Sequence, residues 1–399
     1  MNILIITPRI PYPPFRGDKL KIFNIAKKLT KNNSVKIVTF LRNNNQLDDL
    51  ENLKKLGIEI ETVKLSYVES IWNLFIAIFS KLPFQVAWFQ SKKMKKKLAE
   101  IFLNENIDVA YYHLIRSAQY LDSNNKKDKQ INVIDFTDAV SLYLKRFAEI
   151  ENNPFIKFFI KIEQQRIDKY EKIAEKFHTL FICSEVDKEF LEKKGIKTNI
   201  KILNNGIDID YFKNDKVNYE VNRIIFTGNM PYYANYDAAI YFAKDIFPII
   251  LKYNSKAELF IVGQKPPKKI KDLSCYNVYV TGFVQDIKAE YLKSAVNVAP
   301  LRFGAGTLNK VLESIALGVP VVATSIAVGG LPKNLYKYVF VANNPDEFAR
   351  HVVEIIKNPK IREELMVEGA NVIRETLSWD KIVDNFENYL VDELKNLNK

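Results

Sequence analysis

Apolar strands alternate with amphipathic helices along nearly the whole chain, and this alternation limits the fold more than any other feature of the sequence. Residues 2–7 ("NILIIT") form a continuous apolar run, and residues 18–32 repeat their apolar positions at helical spacing. Further apolar runs predict strands at 34–41, 58–65, 108–114, 131–138 and 178–184. Strands that alternate with helices pair in parallel, so the first half is predicted to be a doubly wound α/β sheet.

A second series of the same kind begins near residue 201. It predicts strands at 222–229, 257–264, 278–286, 296–304 and 320–325. The 399 residues exceed what a single core usually supports. We therefore predict two tandem Rossmann-like domains, 1–198 and 199–377, with a last helix, 378–399, that packs on the second domain or back on the first. Ligands of such sheets bind beyond the carboxyl ends of the strands, so a site is expected in a cleft between the domains.

Cysteine usage and apolar run length indicate where the protein works. Cys183 and Cys275 lie far apart without Cys-x-x-Cys spacing, which is typical of a reducing cytoplasm and excludes a thiolate metal site. The chain's first residues lack the basic start of a signal peptide. The longest apolar run, 71–79, is far shorter than the ~20 residues that span a bilayer. We expect a cytoplasmic protein, either in solution or at the inner face of the cell membrane.

Positive charge is concentrated in the first hundred residues, which carry 18 Lys and Arg against 8 Asp and Glu. Such a region faces nucleic acid, anionic lipid or a phosphorylated substrate, or it reflects AT-rich coding. No nucleic-acid partner is predicted, because the basic run 91–97 lacks interleaved aromatic residues. Together with 71–79, this run forms either a patch that touches anionic lipid or a buried helix followed by a solvated lysine face.

The segment 299–325, "APLRFGAGTLNKVLESIALGVPVVATS", carries the strongest signal for chemistry. A strand leads into a turn with Gly304 and Gly306, which allow a ligand to approach the backbone closely. A helix is predicted to start near Thr307, whose hydroxyl would cap it. The positive end of that helix, with its unpaired N–H donors, favours a phosphate.

Charged residues flank this turn. Arg302 precedes it, and Lys310 and Asn309 share a helix face with Glu313. Arg302 and Lys310 would bring two cations toward one diphosphate, and Glu313 would accept hydrogen bonds from two ribose hydroxyls. The alternative is two solvated cations and an ion pair that contributes only a few tenths of a kcal/mol.

The segment resembles the family 4 retaining glycosyltransferases of GT-B fold, in particular a branch with the pattern PLR-x-GAG-x-x-x-K-x-x-E. The resemblance covers nearly the whole chain and includes "PYPPFRGDKLKIFN" (11–24), "NNGIDIDYF" (204–212), "FTGNMPYYANYDA" (226–238) and "VTGFVQDI" (280–287). It implies two tandem Rossmann-like doubly wound sheets facing an interdomain cleft. It also implies transfer of a hexosyl group, with retention and without a metal, from a UDP- or GDP-sugar to a glycan or lipid-linked acceptor in envelope or exopolysaccharide assembly.

The resemblance also implies which residues form the site. Arg302, Lys310, Glu313 and His113 are the catalytic candidates, with Glu313 as the glutamate that binds ribose. The expected donor-binding positions are Gly17, Asn205, Gly206, Gly228, Asn229, Gly263, Gly282, Phe283, Val284, Gly304, Ala305, Gly306, Thr307, Leu308 and Asn309.

The chain departs from the family pattern within the donor site. The first glutamate of the family's E-x7-E pair is replaced by Ala305. The Gly-Arg…Lys diphosphate clamp of many members falls near Asn229 and Asn235, neither of which is basic. Arg302 and Lys310 are then the replacement cations.

The first domain departs from the pattern as well. The histidine common in the family aligns with Tyr111, and His113 lies two residues on. His113 either reaches the same space or is a hydrogen-bonded histidine at a strand end. The opening loop, "PRIPYPPFRGDKLK" (8–21), is stiffened by prolines, and Arg9, Arg16 and Lys19 add positive charge. Gly17 is expected to line the cleft opposite Arg302 and Lys310.

Negative charge gathers on the leaving diphosphate during transfer, so electrostatic stabilisation should be the main contribution of the protein. No protein base and no metal are predicted; the chain has three histidines, and "DFTD" (135–138) is interpreted as a structural or acceptor-side feature. The alternatives are a sugar-nucleotide epimerase of the same fold, or an inactive sugar-nucleotide-binding subunit, which the loss at Ala305 would explain.

Overall fold

The computed structural model describes residues 1–124, 130–214 and 218–397, and the chain divides into two compact units. The first comprises Met1–Asn204 together with the last helix from Ile382 on. The second comprises Asn205–Lys381. The sequence-based boundaries were 1–198 and 199–377.

The first unit contains a parallel sheet of seven strands in the order β3-β2-β1-β4-β5-β6-β7. The strands are β1 (Asn2–Thr7), β2 (Ser34–Leu41), β3 (Glu59–Lys64), β4 (Val109–His113), β5 (Ile131–Thr137), β6 (Thr179–Ile182) and β7 (Asn199–Ile202). The order reverses between β1 and β4, so the loops after these two strands diverge and leave a crevice typical of ligand sites. The residues of β7 were expected to begin the second series, but they pair with β6.

Helices flank this sheet. They are α1 (Gly17–Leu29), α2 (Leu47–Lys54), α3 (Tyr67–Ile78), α4 (Phe84–Ala87), α5 (Lys92–Asn104), α6 (Val140–Ile150), α7 (Pro154–Tyr170) and α8 (Glu185–Lys193), with a 3₁₀ segment at Ile115–Ser123. Apolar side chains on one face of the sheet, such as Ile6, Tyr112 and Ile134, form a core with the helices that cover that face. The last helix of the chain also contributes, since Phe386 packs edge-on against Tyr111 and Phe181.

The second unit repeats this plan with a parallel sheet of six strands in the order β10-β9-β8-β11-β12-β13. The strands are β8 (Glu220–Thr227), β9 (Glu258–Val262), β10 (Val278–Gly282), β11 (Ser294–Ala299), β12 (Val321–Ala323) and β13 (Val339–Val341). The strand order reverses here between β8 and β11. The prediction of two doubly wound parallel α/β sheets is thus confirmed.

The helices of the second unit complete the chain. They are α9 (Tyr233–Tyr241), α10 (Phe247–Tyr253), α11 (Lys268–Lys271), α12 (Ile287–Leu292), α13 (Asn309–Ala316), α14 (Ser325–Val328), α15 (Pro345–Lys357), α16 (Lys360–Leu377) and α17 (Trp379–Leu397), the last of which continues into the first unit. Within the described ranges, none of the helices combines the length and apolar character needed to cross a bilayer.

A fully buried ion pair joins α1 to β5 in the first unit. Lys21 Nζ lies 2.8 Å from Asp135 Oδ2, and both side chains are completely buried. The Tyr111 hydroxyl and the backbone N–H of Thr137 also donate to this carboxylate. Burial alone would raise the pKa of Asp135, but Lys21 and Tyr111 together hold it below the ordinary value.

Replacement of Lys21 by Met should lower the free energy of unfolding by about 3 to 5 kcal/mol at pH 7, because it leaves Asp135 buried without its counter-charge. Lys21→Met/Asp135→Leu should recover part of this loss.

Since the pKa of Asp135 is depressed by folding, the contribution of this carboxylate to the free energy of unfolding is present above the unfolded pKa of about 3.9 and is lost as pH falls. Urea unfolding at pH 7 and pH 3 measures both effects; a single variant as stable as the wild type would contradict the account.

Candidate active site

The charged residues singled out in the sequence lie at the carboxyl edge of the second sheet, where its strand order reverses. Arg302 follows β11, and Asn229 follows β8. Helix α13, which carries Lys310 and Glu313, starts from the loop after β11. This is the position at which open α/β sheets bind their ligands.

The start of α13 differs from the prediction. The helix begins at Asn309, and the residue before it, Leu308, provides no capping side chain. The Thr307 hydroxyl instead donates to the Gly330 carbonyl at 2.6 Å, which ties the loop to the segment after α14. Thr307 was therefore wrongly predicted as the cap, because its hydroxyl bonds to another loop. The first N–H groups of a helix have no acceptor within it. In α13 the N–H of Val311 already donates to the Leu308 carbonyl at 3.0 Å, which leaves those of Asn309 and Lys310 at the start of the helix.

Lys310 is a buried ammonium whose hydrogen-bond partner is an amide. Its Nζ donates to Asn235 Oδ1 at 2.9 Å and lies 4.3 Å from the ring centroid of Phe226. Burial lowers the pKa of Lys310 to about 7, and the nearby Glu313 only partly opposes this shift. An anion next to Nζ would stabilise the charged form of Lys310.

Arg302 is held by a carboxylate that the sequence analysis did not single out. Its Nε donates to Asp237 Oδ2 at 2.9 Å, and its Nη2 donates to the other oxygen of the same carboxylate. The guanidinium also lies over the ring of Tyr241. In the part of the chain that the structure describes, Nη1 has no hydrogen-bond partner, and 44% of the side chain is exposed.

Helix α9 thus holds both cations. Asn235 contacts Lys310, and Asp237, two residues later, binds Arg302. Asn235 is itself fixed through its amide, which donates to the Asn229 carbonyl at 3.2 Å. Asn229 and Asn235, which stand where many family members have the basic clamp, therefore orient Lys310, and Asp237 orients Arg302.

Glu313 is the third charged group of the site. The Tyr291 hydroxyl donates to its Oε2 at 3.0 Å and also lies 2.7 Å from the Thr227 hydroxyl. Burial raises the pKa of Glu313 to about 7, although Tyr291 and Lys310 oppose the rise. The carboxylate is therefore fixed in orientation by groups from β8 and α12.

The predicted glycines of this edge allow close packing of its loops. A Cβ on Gly263 would lie 1.7 Å from the Gly228 carbonyl oxygen, and one on Gly228 would lie 2.8 Å from Asn235 Cγ. A Cβ on Gly206 would meet Trp379 at 2.6 Å. Gly306 has φ +72°, a conformation that favours glycine, in the turn before α13. Gly228 and Gly263 therefore allow the chain segments after β8 and β9 to pack closely against each other.

The remaining predicted positions lie on the same loops. Asn205 donates to Asn309 Oδ1 at 2.9 Å, and its own Oδ1 is buried without a described partner. Phe283 is exposed, Val284 is half-buried against the core, and Ala305 is half-buried in the turn. Gly282 is the last residue of β10, and Gly304 lies in the loop after β11.

In the first unit, His113 ends β4 and is buried. Its Nε2 lies 3.0 Å from the Asp18 carbonyl oxygen, and its ring stacks on Tyr111. Burial lowers the pKa of His113 to about 4, so the ring is neutral at pH 7. This agrees with the hydrogen-bonded histidine at a strand end; a direct role for His113 stays a prediction.

The opening loop places Gly17 at the start of α1, where an added Cβ would meet no described atom within 4 Å. Arg9 and Arg16 both bind the Asp18 carboxylate, at 2.6 and 3.2 Å. Lys19 donates to the Tyr12 carbonyl at 3.1 Å. The loop's cations are therefore anchored within the unit, and the expected position of Gly17 at a donor stays a prediction.

Helix α3 contains most of the apolar run 71–79, for which the sequence allowed either a surface patch or a buried helix. The alternative of a buried helix is wrong, because Ser70 and Ala77 are the buried positions of α3. The exposed large apolar residues, which we call the α3 surface, are Tyr67, Val68, Ile71, Trp72, Phe75, Ile76, Ile78 and Phe79. The lysines of α5 at 92, 93, 95 and 96 are exposed as well.

Helix α7 adds a second exposed apolar segment, consisting of Phe155, Ile156, Phe158 and Phe159. Arg166 of α7 donates to the Ala77 and Leu82 carbonyls at the end of α3, at 2.7 and 3.1 Å. The two apolar segments therefore belong to neighbouring helices of one unit.

Each unit contains one doubly wound parallel sheet, which is the plan of proteins of GT-B architecture. Residues 221–358 match the model of the family described as glycosyl transferases group 1. The second unit thus carries a domain of that family, as the sequence resemblance implied.

The chain is also similar to individual proteins over nearly its whole length. The chain is 26% identical over 406 residues to a Klebsiella pneumoniae protein described as an uncharacterized 44.6 kDa protein in the cps region, which covers 96% of this chain and 97% of that protein. The fold of the present chain is similar to that of Anabaena Alr3699/HepE in complex with UDP-glucose, with a TM-score of 0.70 and 14% identity. The match covers 98% of the present chain and 100% of the Anabaena chain. The fold is also similar to that of sucrose-phosphate synthase from Thermosynechococcus elongatus, with TM-score 0.74, 13% identity, and coverage of 99% and 100%.

Proposed function

We propose that this glycosyltransferase moves a sugar from a nucleotide-sugar donor, a UDP- or GDP-sugar, to a glycan or lipid-linked acceptor. The transfer retains the anomeric configuration, needs no metal and serves cell-envelope or exopolysaccharide assembly. The observation that carries the proposal is the pair of cations, Lys310 and Arg302, held on α9 beside the start of α13. The UDP-glucose complex of the Anabaena protein and the cps-region relative support the donor and the setting.

Both cations act on the leaving diphosphate. As the bond from the sugar to the diphosphate breaks, negative charge grows on the leaving oxygen. Lys310 and the Nη1 group of Arg302 stabilise this charge together with the first N–H groups of α13. The buried position of Lys310 excludes water, so its interaction with the anion is stronger than it would be in bulk solvent. The departing phosphate oxygen accepts the acceptor's proton, and no protein base is assigned.

Glu313 holds the nucleoside. In its ionised form it accepts hydrogen bonds from the two ribose hydroxyls, while Tyr291 fixes its orientation. The loop after β10, with Phe283 and Val284, contacts the nucleobase of the donor. Residues 304–309 contact the diphosphate and the sugar.

Lys310→Ala should lower kcat by roughly two to three orders of magnitude, because it removes a few kcal/mol of charge stabilisation. Lys271→Ala, which removes an exposed lysine of the same unit, is the matched control and should leave kcat unchanged. Turnover is measured with UDP- and GDP-sugars, chosen by thermal stabilisation of the protein, and saccharide acceptors.

Equal turnover in Lys310→Ala and Lys271→Ala would contradict the assignment. Donor binding without turnover by the wild type would indicate the inactive subunit that Ala305 suggests. An epimerised donor in the absence of an acceptor would indicate the epimerase instead.

The affinity for UDP should peak near pH 7 and fall on both sides. As pH rises through about 7, Lys310 loses the proton that makes it a cation. As pH falls through about 7, Glu313 gains a proton and no longer accepts from both ribose hydroxyls. Calorimetric titration should show Kd rising roughly tenfold per pH unit on the alkaline side, following the protonated fraction of Lys310.

Two variants separate the limbs of this profile. Lys310→Arg should remove the alkaline limb, and Glu313→Gln should flatten the acid limb to the part caused by protonation of UDP itself near about pH 6. A profile unchanged by both variants would show that neither group contacts the nucleotide.

The acceptor side of the proposal includes contact with an anionic membrane at the inner face of the cell membrane. The α3 surface supplies apolar side chains of the kind that enter the headgroup region, and the exposed lysines of α5 supply charge that attracts anionic lipid. Such contact suits an acceptor that is itself carried by a lipid.

Trp72→Ser/Phe75→Ser should lower co-sedimentation with vesicles of anionic phospholipid by roughly tenfold, because it removes two exposed aromatic side chains from the α3 surface. Val221→Ser, at an exposed position of the second unit, is the control and should bind like the wild type. Absence of wild-type binding at low salt would end the membrane proposal.

A further inference from the structure

Three arginines of the first unit surround the ring of Phe89. The Cζ atoms of Arg9, Arg42 and Arg116 lie 5.5, 5.3 and 5.8 Å from its centroid. Arg9 follows β1, Arg42 follows β2, and Arg116 follows β4, which are three neighbouring strands of the sheet. The arginines therefore converge at the carboxyl edge, beside the point where the strand order reverses, and we call them the arginine cluster.

The positive charge of the arginine cluster is not balanced. The Asp18 carboxylate pairs with Arg9 and is shared with Arg16. In residues 1–124, 130–214 and 218–397, neither Arg42 nor Arg116 forms an ion pair. Burial, together with the neighbouring Arg9, lowers the pKa of Arg42 and brings that of Arg116 to about 10. The carboxylates of Asp18 and Glu163 oppose the shift of Arg116, and that of Glu69 opposes the shift of Arg42, but they do not offset the burial.

Both guanidinium groups also retain unused donors. Arg42 Nη1 donates to Ser70 Oγ at 2.6 Å, and Arg116 Nη2 donates to Gln85 Oε1 at 3.1 Å. Arg42 Nη2 and Arg116 Nε are buried and have no partner among the described residues. A buried charged donor without an acceptor costs free energy, which an anionic ligand would recover.

The neighbours of Arg42 connect the arginine cluster to α3. Its guanidinium lies 5.3 Å from the ring centroid of Tyr67, the first residue of α3, and 5.5 Å from that of Trp88. Ser70, its hydrogen-bond partner, is on α3 as well. The unbalanced cations therefore lie next to the helix that carries the exposed α3 surface.

We propose that the arginine cluster binds a phosphate or diphosphate group of the acceptor. Arginine suits this ligand, because its planar fork donates two parallel hydrogen bonds to a phosphate. The acceptor role rests on the proposed transferase function, whereas anion binding by the arginine cluster does not. The phosphate belongs either to a lipid carrier, whose chain would lie along the α3 surface, or to a phosphorylated glycan in solution.

The test is calorimetric titration of the full chain with farnesyl diphosphate, inorganic pyrophosphate and glycerol 3-phosphate, each in saturating UDP so that the donor site is filled. Arg42→Gln and Arg116→Gln should each weaken binding roughly tenfold to a hundredfold, the range of a lost charge-assisted hydrogen bond. Arg350→Gln, at an exposed position of the second unit, should bind like the wild type. Thermal unfolding checks that each variant is folded, and Arg116→Lys, which keeps the charge but loses the fork, replaces Arg116→Gln if it is not.

The outcomes distinguish a lipid carrier from a phosphorylated glycan as the source of the phosphate. They also distinguish failure of the arginine-cluster proposal from failure of the donor assignment. Farnesyl diphosphate bound more tightly than pyrophosphate supports a lipid carrier, and equal binding supports a phosphorylated glycan. No anion binding in saturating UDP, or equal binding by wild type and the cluster variants, would overturn the proposal. The affinity for UDP, titrated separately, should be unchanged in the cluster variants; its absence in the wild type would instead overturn the donor assignment.

Discussion

The site of the second unit depends on a buried ammonium, that of Lys310, which donates to the amide oxygen of Asn235. Lys310 lies over Phe226 and donates to Asn235, so its charge is desolvated, and no described carboxylate lies at hydrogen-bond distance. An arrangement of this kind is costly unless an anion joins it. Arg302 is also turned toward α9, where Asp237 takes two of its donors and leaves Nη1. The loops after β8 and β11 thus position cations for a ligand that supplies negative charge.

The first unit contains a balanced and an unbalanced set of charges. Lys21 and Asp135 neutralise each other in its core, which joins α1 to β5. Arg42 and Arg116, whose Cζ atoms lie 5.3 and 5.8 Å from the Phe89 centroid, form no ion pair with any residue that the structure describes. Each unit therefore leaves cations under-neutralised at the carboxyl edge of its own sheet. A transferase that uses a nucleotide-sugar donor and a phosphorylated acceptor needs one anion site for each substrate.

The sequence predicted what depends on local pattern and missed what depends on distant pairing. Strand and helix alternation predicted both parallel sheets, and motif spacing placed Arg302 and Lys310 at one edge. The four residues of β7 were grouped with the second series, because a short strand shows its sheet only through its partner, β6. Thr307 has the composition of a cap, yet its hydroxyl bonds to Gly330, which is distant in sequence.

The same limit applies to charged groups. Nothing in the local sequence "NYDA" indicates that Asp237 binds Arg302. The opening loop suggested Arg9, but not the convergence of Arg42 and Arg116 on Phe89.

The structure of the UDP complex tests the central claim most directly. The account predicts the β-phosphate within hydrogen-bond distance of both Lys310 Nζ and Arg302 Nη1. A β-phosphate bound away from both groups, with Lys310 still donating only to Asn235, would contradict it.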